Sequence, residues 1–240
     1  IVGVPKILSN SQRGAGLLVE KETAGLSRLE RDIVYPYAIV MGGKKVSDKI
    51  GAILNLLMRC NHLIIGGAMA YTFLRFLGHE TANSSVEEDK LDLVDNILQK
   101  ASDHRVKIHL PVDHICAHKF DQDAQAVVVD SKNIPQGMMG LDIGPKTAEN
   151  YAKVISECRT ILWNGPMGLF EWPSFTKGTH TVAHAIANVD GYNVAGGGDT
   201  LAALNQIGLD HQFSHISTGG GASLKFLEGS ELPGLAVLKD

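Results

Sequence analysis

Lys44, Lys45 and Lys49 follow the pair Gly42-Gly43, and Asp199 follows directly on Gly196-Gly-Gly198 and precedes Thr200. Lys45 and Lys49 are four apart in what reads as the start of a helix, a spacing that projects both from one face, one turn apart. Cations in a first helical turn oppose the helix dipole, at a cost of roughly 0.3–1 kcal/mol each when exposed. A bound polyanion removes that cost; a solvated pair of lysines is the plainer alternative. Asp199 suits a helix N-cap. Beside a phosphate cradle, however, a carboxylate repels the ligand unless a cation lies between them. Magnesium held by one carboxylate and the nucleotide phosphates meets that need. His180, His184, His211 and His215 have no acidic or cysteine partners at ligand spacing and read as structural.

These residues sit in a repeated unit: a short apolar run, a glycine-rich turn, then a helical pattern. It occurs at Ala38-Ile-Val-Met-Gly-Gly43, Leu63-Ile-Ile-Gly-Gly67, Ile161-Leu-Trp-Asn-Gly165, Val194-Ala-Gly-Gly-Gly198 and His215-Ile-Ser-Thr-Gly-Gly-Gly221. Unbroken apolar runs of this length suit strands buried on both faces, as in parallel sheets. Helical periodicity follows them. Val46, Ile50, Ile53, Leu54 and Leu57 share a face, as do Leu91, Val94, Ile97, Leu98 and Ala101, the latter opened by a Ser85-Val-Glu-Glu88 capping box. A further helix starts near Pro145, suited to a first turn. Strands alternating with helices imply right-handed βαβ units in an open, doubly wound parallel sheet with helices on both faces, a Rossmann-like α/β fold. Residues 15–32 read as one amphipathic helix and residues 1–14 as loop, and no linker divides the rest.

In such sheets ligands bind at the carboxyl ends of the strands, where every one of these glycine clusters falls. Glycine admits positive φ and close backbone approach, and the following helix N-terminus supplies free N–H groups, a setting made for phosphate. Neither G-x-x-x-x-G-K-[ST] nor a post-strand G-x-G-x-x-G is present. The phosphates must be held another way, and a dehydrogenase-type dinucleotide domain is disfavoured.

The bulk properties restrict the partners. A net charge of −4 argues against nucleic-acid and membrane-surface binding. The longest apolar stretch, Leu63 to Leu74, contains two glycines and is too short for a bilayer. Cys60, Cys116 and Cys158 form no CxxC or Cys/His cluster, which points to reduced thiols and a cytoplasmic setting. No signal peptide is apparent, and the opening on Ile1 hints at missing upstream sequence.

The motif series Gly42-Gly-Lys-Lys-Val-Ser-Asp-Lys49, Ile65-Gly-Gly-Ala-Met-Ala-Tyr-Thr-Phe73, Leu110-Pro-Val-Asp113, Asp142-Ile-Gly-Pro145, Trp163-Asn-Gly-Pro-Met-Gly-Leu-Phe-Glu171, Gly196-Gly-Gly-Asp-Thr200 and Ser217-Thr-Gly-Gly-Gly-Ala-Ser223 resembles the phosphoglycerate kinase family, in that family's order. The resemblance implies glycolytic phosphoryl transfer between 1,3-bisphosphoglycerate and MgADP, giving 3-phosphoglycerate and MgATP. It implies that Lys45 contacts the nucleotide phosphates and Lys49 the phosphoryl group in flight. Asp199 would carry Mg2+, Asn164 and Thr200 would hold phosphate oxygens, and Glu171 the ribose. Gly42, Gly43, Gly66, Gly67, Leu141 and Leu169 would line the adenine slot, and Gly140 would belong to the nucleotide site. Gly165, Gly197 and Gly198 would complete the nucleotide site, and Gly219, Gly220 and Gly221 would aim a helix N-terminus at the transferred group. Lys44 stands where the family usually has alanine. By the same resemblance residues 1–14 are the tail of an absent N-terminal domain that binds phosphoglycerate, 15–32 the interdomain helix and 33–240 the nucleotide domain, in a monomer. A stand-alone, non-catalytic Mg-nucleotide-binding module is the alternative.

Overall fold

The computed structural model describes residues 2–8 and 13–238. In chain order the elements are α1 (Gly3–Ile7), α2 (Leu17–Arg31), β1 (Tyr37–Met41), α3 (Ile50–Leu56), β2 (His62–Ile65), α4 (Met69–Phe76), α5 (Leu91–Asp103) and β3 (Lys107–His109). Then come β4 (His114–Ala117), β5 (Val127–Val129), β6 (Met139–Ile143), α6 (Pro145–Ser156), β7 (Thr160–Asn164), α7 (Lys177–Ala187), β8 (Tyr192–Gly196), α8 (Gly198–Ile207), β9 (His215–Ser217), α9 (Gly221–Leu227) and α10 (Pro233–Ala236).

The main sheet has the order β3-β2-β1-β7-β8-β9, and every pairing in it is parallel. The chain winds outward from β1 in one direction and then returns to β7 to wind outward in the other, so the strand order reverses between β1 and β7. That reversal opens a crevice at the carboxyl edge, the place where ligands bind in such sheets. The doubly wound expectation holds. Both faces of the sheet are covered: Ile39, Met41, Leu63 and Ile65 pack with α3, α4 and α5 in one apolar cluster. Val40, Ile64, Ile161 and Trp163 pack with α6, α7 and α8 in the other. Strand residues buried on both sides explain the unbroken apolar runs.

Four details differ from the sequence reading. A three-stranded antiparallel sheet, β5-β4-β6, is present that the apolar runs do not signal. Its strands are short and carry His114 and Gly140, which hides their period. Part of the supposed 1–14 loop is the short helix α1, while residues 9–12 lie outside the described residues. The capping box at Ser85 is not used: α5 begins at Leu91, after a 3₁₀ turn over Glu88–Lys90. The cause is Glu87. Its N–H donates to Thr72 Oγ1 (3.1 Å), and its carboxylate accepts from the Val46 N–H (2.6 Å), the Ser47 N–H (3.2 Å) and the Ser47 hydroxyl (2.6 Å). With that residue turned inward, the helix cannot start until the chain has passed it. Finally, α3 starts at Ile50, so Lys45 and Lys49 do not share a helical face.

The remaining helix signals agree. The helix expected over 15–32 is α2, and Pro145 occupies the first turn of α6. The N–H groups of that turn are capped from outside the helix: Asp113 accepts from the Lys146 N–H at 2.9 Å and the Thr147 N–H at 2.8 Å. The three cysteines are buried free thiols, and burial pushes Cys60 and Cys116 up to about 12 and Cys158 to about 11. Among the described residues no helix is long and apolar enough to cross a membrane.

Candidate nucleotide site

The loops after β1, β2 and β7 close on one another through backbone contacts that tolerate no side chain. Gly42 N–H donates to Asn164 O (3.0 Å), Gly43 N–H to Pro166 O (2.8 Å), Gly67 N–H to Met167 O (2.9 Å) and Met69 N–H to Gly43 O (3.0 Å). A Cβ on Gly42 would sit 2.1 Å from Pro166 O, and Gly67, at φ +65°, would place one 2.4 Å from Gly43 N. Glycine is required at both positions for close approach, and at Gly67 also for its left-handed backbone.

Two cavities open on this triple junction. The larger, about 480 Å³, is lined by Gly43, Gly67, Gly140, Leu141, Leu169 and Glu171 among others. Its walls are mainly apolar, as a flat heteroaromatic base requires. The smaller, about 180 Å³, is lined by Lys45, Lys49, Asn164, Gly165, Gly197 and Thr200. Gly43, Lys44 and Asp199 line both. Residues scattered along the sequence from Gly43 to Thr200 thus meet at the crevice between β1 and β7.

Asn164 ends β7 and organises the smaller cavity. Its Nδ2 donates to Gly196 O at 2.9 Å, tying β7 to β8. Its backbone oxygen accepts from Lys49 Nζ at 3.0 Å, and its side-chain oxygen accepts from the same ammonium. Thr200 Oγ1 accepts from the Gly165 N–H at 2.7 Å, which holds the next loop against α8. Asp199 lies exposed in the first turn of α8, whose leading N–H groups have no partners within the helix. The expected N-cap role falls instead to Gly197, at φ +94°.

Lys49 is 9% exposed, and burial lowers its ammonium from 10.5 to about 8, with Asp199 and Asp48 partly opposing the shift. The folded state therefore binds its proton less tightly than the unfolded chain, and stability rises with pH between about 8 and 10.5. Below that window the buried charge costs about 3 kcal/mol, from which about 1–2 kcal/mol is subtracted for the Asn164 oxygen orphaned when the ammonium is removed. Lys49→Met is accordingly expected to raise the unfolding free energy at pH 7 by about 1–2 kcal/mol. Urea denaturation checks this, and a loss of stability would contradict it.

Some expected site residues stand apart. Gly42 and Gly66 line neither cavity but lie behind them, where Met167 fills the space a Gly66 side chain would need. Gly198, Gly220 and Gly221 also line neither, and Gly219 lines an apolar groove between α2 and α10. Gly220 holds φ +53° at the N-cap of α9. The histidines expected to be structural sit outside the crevice. His215 is buried with Nε2 3.4 Å from Glu22, and His180 Nε2 lies 2.9 Å from Thr176 Oγ1. Sequence reasoning missed Tyr71, Asn83, Ser85, Phe120, Met139 and Met167 on the walls of the larger cavity. Phe120 is 64% exposed at its mouth, its ring 4.6 Å from that of Trp172. An exposed phenylalanine after a short strand carries no periodic signal that could have flagged it.

Among the described residues there is no group of three or more His, Cys, Asp or Glu able to hold a metal alone. A divalent cation at Asp199 would have to take its other ligands from phosphate oxygens or water, which suits Mg2+.

Comparison with known proteins points to one family. The family model described as phosphoglycerate kinase matches residues 1–230. The chain is 51% identical to the phosphoglycerate kinase of Thermus thermophilus, over all of this chain and 61% of that protein. It is 47% identical to that of Clostridium tetani, again over all of this chain and 59% of that protein. The solved phosphoglycerate kinase of Coxiella burnetii superposes with a TM-score of 0.89 at 42% identity, covering 93% of this chain and 58% of that one. That of Pyrococcus horikoshii gives 0.82 at 33% identity, over 93% and 56%. The chain thus spans about three fifths of the length of these relatives.

Proposed function

We propose, from the premise that the chain belongs to the phosphoglycerate kinase family, that it is the nucleotide half of an enzyme moving a phosphoryl group between 1,3-bisphosphoglycerate and ADP. The observation carrying this reading is the pair of joined cavities at the β1/β7 crevice, one apolar and one cationic, sharing Gly43, Lys44 and Asp199. In this division residues 1–14 belong to the tail of a phosphoglycerate-binding domain, 15–32 join the two domains, and 33–240 hold ADP or ATP. The coverage of about three fifths of each relative supports it. The family is one of cytosolic glycolysis, and we place this protein there as a monomer with small-molecule partners only.

The base enters the larger cavity between the Gly67 and Gly140 backbones and the side chains of Leu141 and Leu169, with Glu171 at the rim for the ribose hydroxyls. The phosphates run into the smaller cavity, where Lys45, Asn164, Thr200 and the free N–H groups of α8 meet them. Asp199 would hold Mg2+, which would supply charge neutralisation for the phosphates. In the direction of ATP synthesis an oxygen of the ADP β-phosphate attacks the acyl phosphorus. The bond from phosphorus to the acyl oxygen breaks, and the carboxylate of 3-phosphoglycerate leaves with its electron pair. No proton needs to be moved, so this chain's task is positioning and neutralising charge. Lys49, whose ammonium is fixed on Asn164, is the cation for the group in flight. Gly220 and Gly221 at the start of α9 face the same transfer in this reading.

The metal role is tested directly. Asp199→Ala is expected to abolish most of the Mg2+-dependent gain in ADP affinity and to leave metal-free binding nearly intact. Calorimetric titration with and without Mg2+ measures both, and an unchanged magnesium dependence in the variant would sink the assignment.

A further inference from the structure

A groove of about 700 Å³ lies at one edge of the main sheet, along the edge strand β3. Its floor is apolar, formed by Leu98, Ile108, Leu110, Val154 and the ring of Tyr151. Lys107, Lys132 and Lys153 stand around it against one carboxylate, Glu157. All three lysines are exposed, and none forms an ion pair among the described residues. A concentration of unpaired positive charge is unexpected in a chain whose net charge is −4.

The strand edge adds polar groups to this rim. The Lys107 N–H donates to Asn61 O, so the alternation of the parallel ladder turns the N–H and C=O of Ile108 away from β2, toward the groove. On the face carrying Lys107, His62 Nδ1 and His109 Nε2 lie 3.0 Å apart. The ring centroids are 5.2 Å apart, so the two nitrogens point at each other and one imidazole donates to the other. Burial, then the neighbouring imidazole and Lys107, holds His109 down at about 4, and burial and Lys107 lower His62. Both rings are therefore neutral hydrogen-bonding groups at neutral pH, and the positive charge of the groove resides on the lysines.

We propose that this groove binds a small organic anion: an anionic head for the lysines and the Ile108 N–H, carried on an apolar body that covers the floor. Neither half of such a ligand suffices. The lysines, being solvated, hold a bare anion weakly. The floor alone offers an uncharged body no orienting contact. The assignment is independent of the nucleotide reading, because none of these residues lines either cavity at the β1/β7 crevice.

The test follows the ring C–H resonances of His62 and His109 while 1-naphthyl phosphate is titrated into the chain at neutral pH. Saturable shifts of both rings are expected, with affinity at least about tenfold weaker for 1-naphthol or inorganic phosphate alone. Replacing two of the cations, Lys107→Gln with Lys153→Gln, is expected to weaken 1-naphthyl phosphate by about tenfold or more while the other histidine signals stay in place. Absence of saturable shifts, equally tight binding of inorganic phosphate, or undiminished binding by the double variant would each overturn the proposal.

Discussion

The 240-residue chain is expected to bind MgADP and yet show no 3-phosphoglycerate-dependent conversion of ATP to ADP. Transfer requires the acceptor to be held in line with the γ-phosphate and shielded from water, a positioning effect of roughly 7–11 kcal/mol. In the proposed reading both cavities at the β1/β7 crevice serve the nucleotide. An anionic three-carbon acid calls for guanidinium groups, whose paired N–H bonds match carboxylate and phosphate, and no arginine lines either cavity. Without the positioning effect the rate falls below detection in an ordinary coupled assay. The nucleotide site does not share that loss, since its sheet, helices and loops are all within the chain. Turnover within about tenfold of a typical kcat of roughly 10 s⁻¹ would show that this chain needs no second half.

For the chain joined to a phosphoglycerate-binding domain, the second large effect is expected at Lys49. Its ammonium is committed to Asn164 and buried, whereas Lys45 is exposed on the cavity rim. A contact that develops only as the phosphoryl group moves lowers the barrier without changing ground-state affinity. Lys49→Ala should therefore cut kcat by about 10²–10³, the range seen when one preorganised donor is removed, with little change in the ADP dissociation constant. Lys45→Ala should weaken ADP binding as well. Comparable losses of ADP affinity in both variants would contradict the division. Lys49 also joins function to stability: the same buried charge proposed to serve the transfer is the one whose replacement by methionine should stabilise the fold.

What the sequence reveals of this site follows from what is local. Strand, glycine turn and helix are neighbours along the chain, so the glycines at the carboxyl edge and the α/β class are legible from apolar runs and punctuation alone. The pairing of β1 with β7 is not local, and it is what brings Asn164 to Lys49. From spacing alone Lys45 and Lys49 look like a helical pair. Only the packed structure separates an exposed cation from a buried one, because α3 starts after both. Glu87 is a similar case. It reads as part of a capping box, but its carboxylate crosses to the backbone of Val46 and Ser47 and fixes the turn that carries the lysines. The base cavity is the least legible part, since Tyr71, Phe120 and Met139 come from α4, a loop and β6 with no shared period. The separate roles proposed for Lys45, Lys49 and Glu171 rest on family resemblance, which spacing does not supply.

The most direct measurement is calorimetric titration of ADP into the unmodified chain, with Mg2+ and again with a chelator. One saturable site per chain is expected, clearly tighter with Mg2+, and lost when Leu169→Asp blocks the larger cavity with a carboxylate. No saturable binding, or an affinity indifferent to both Mg2+ and the blocked cavity, would contradict a nucleotide site at the β1/β7 crevice.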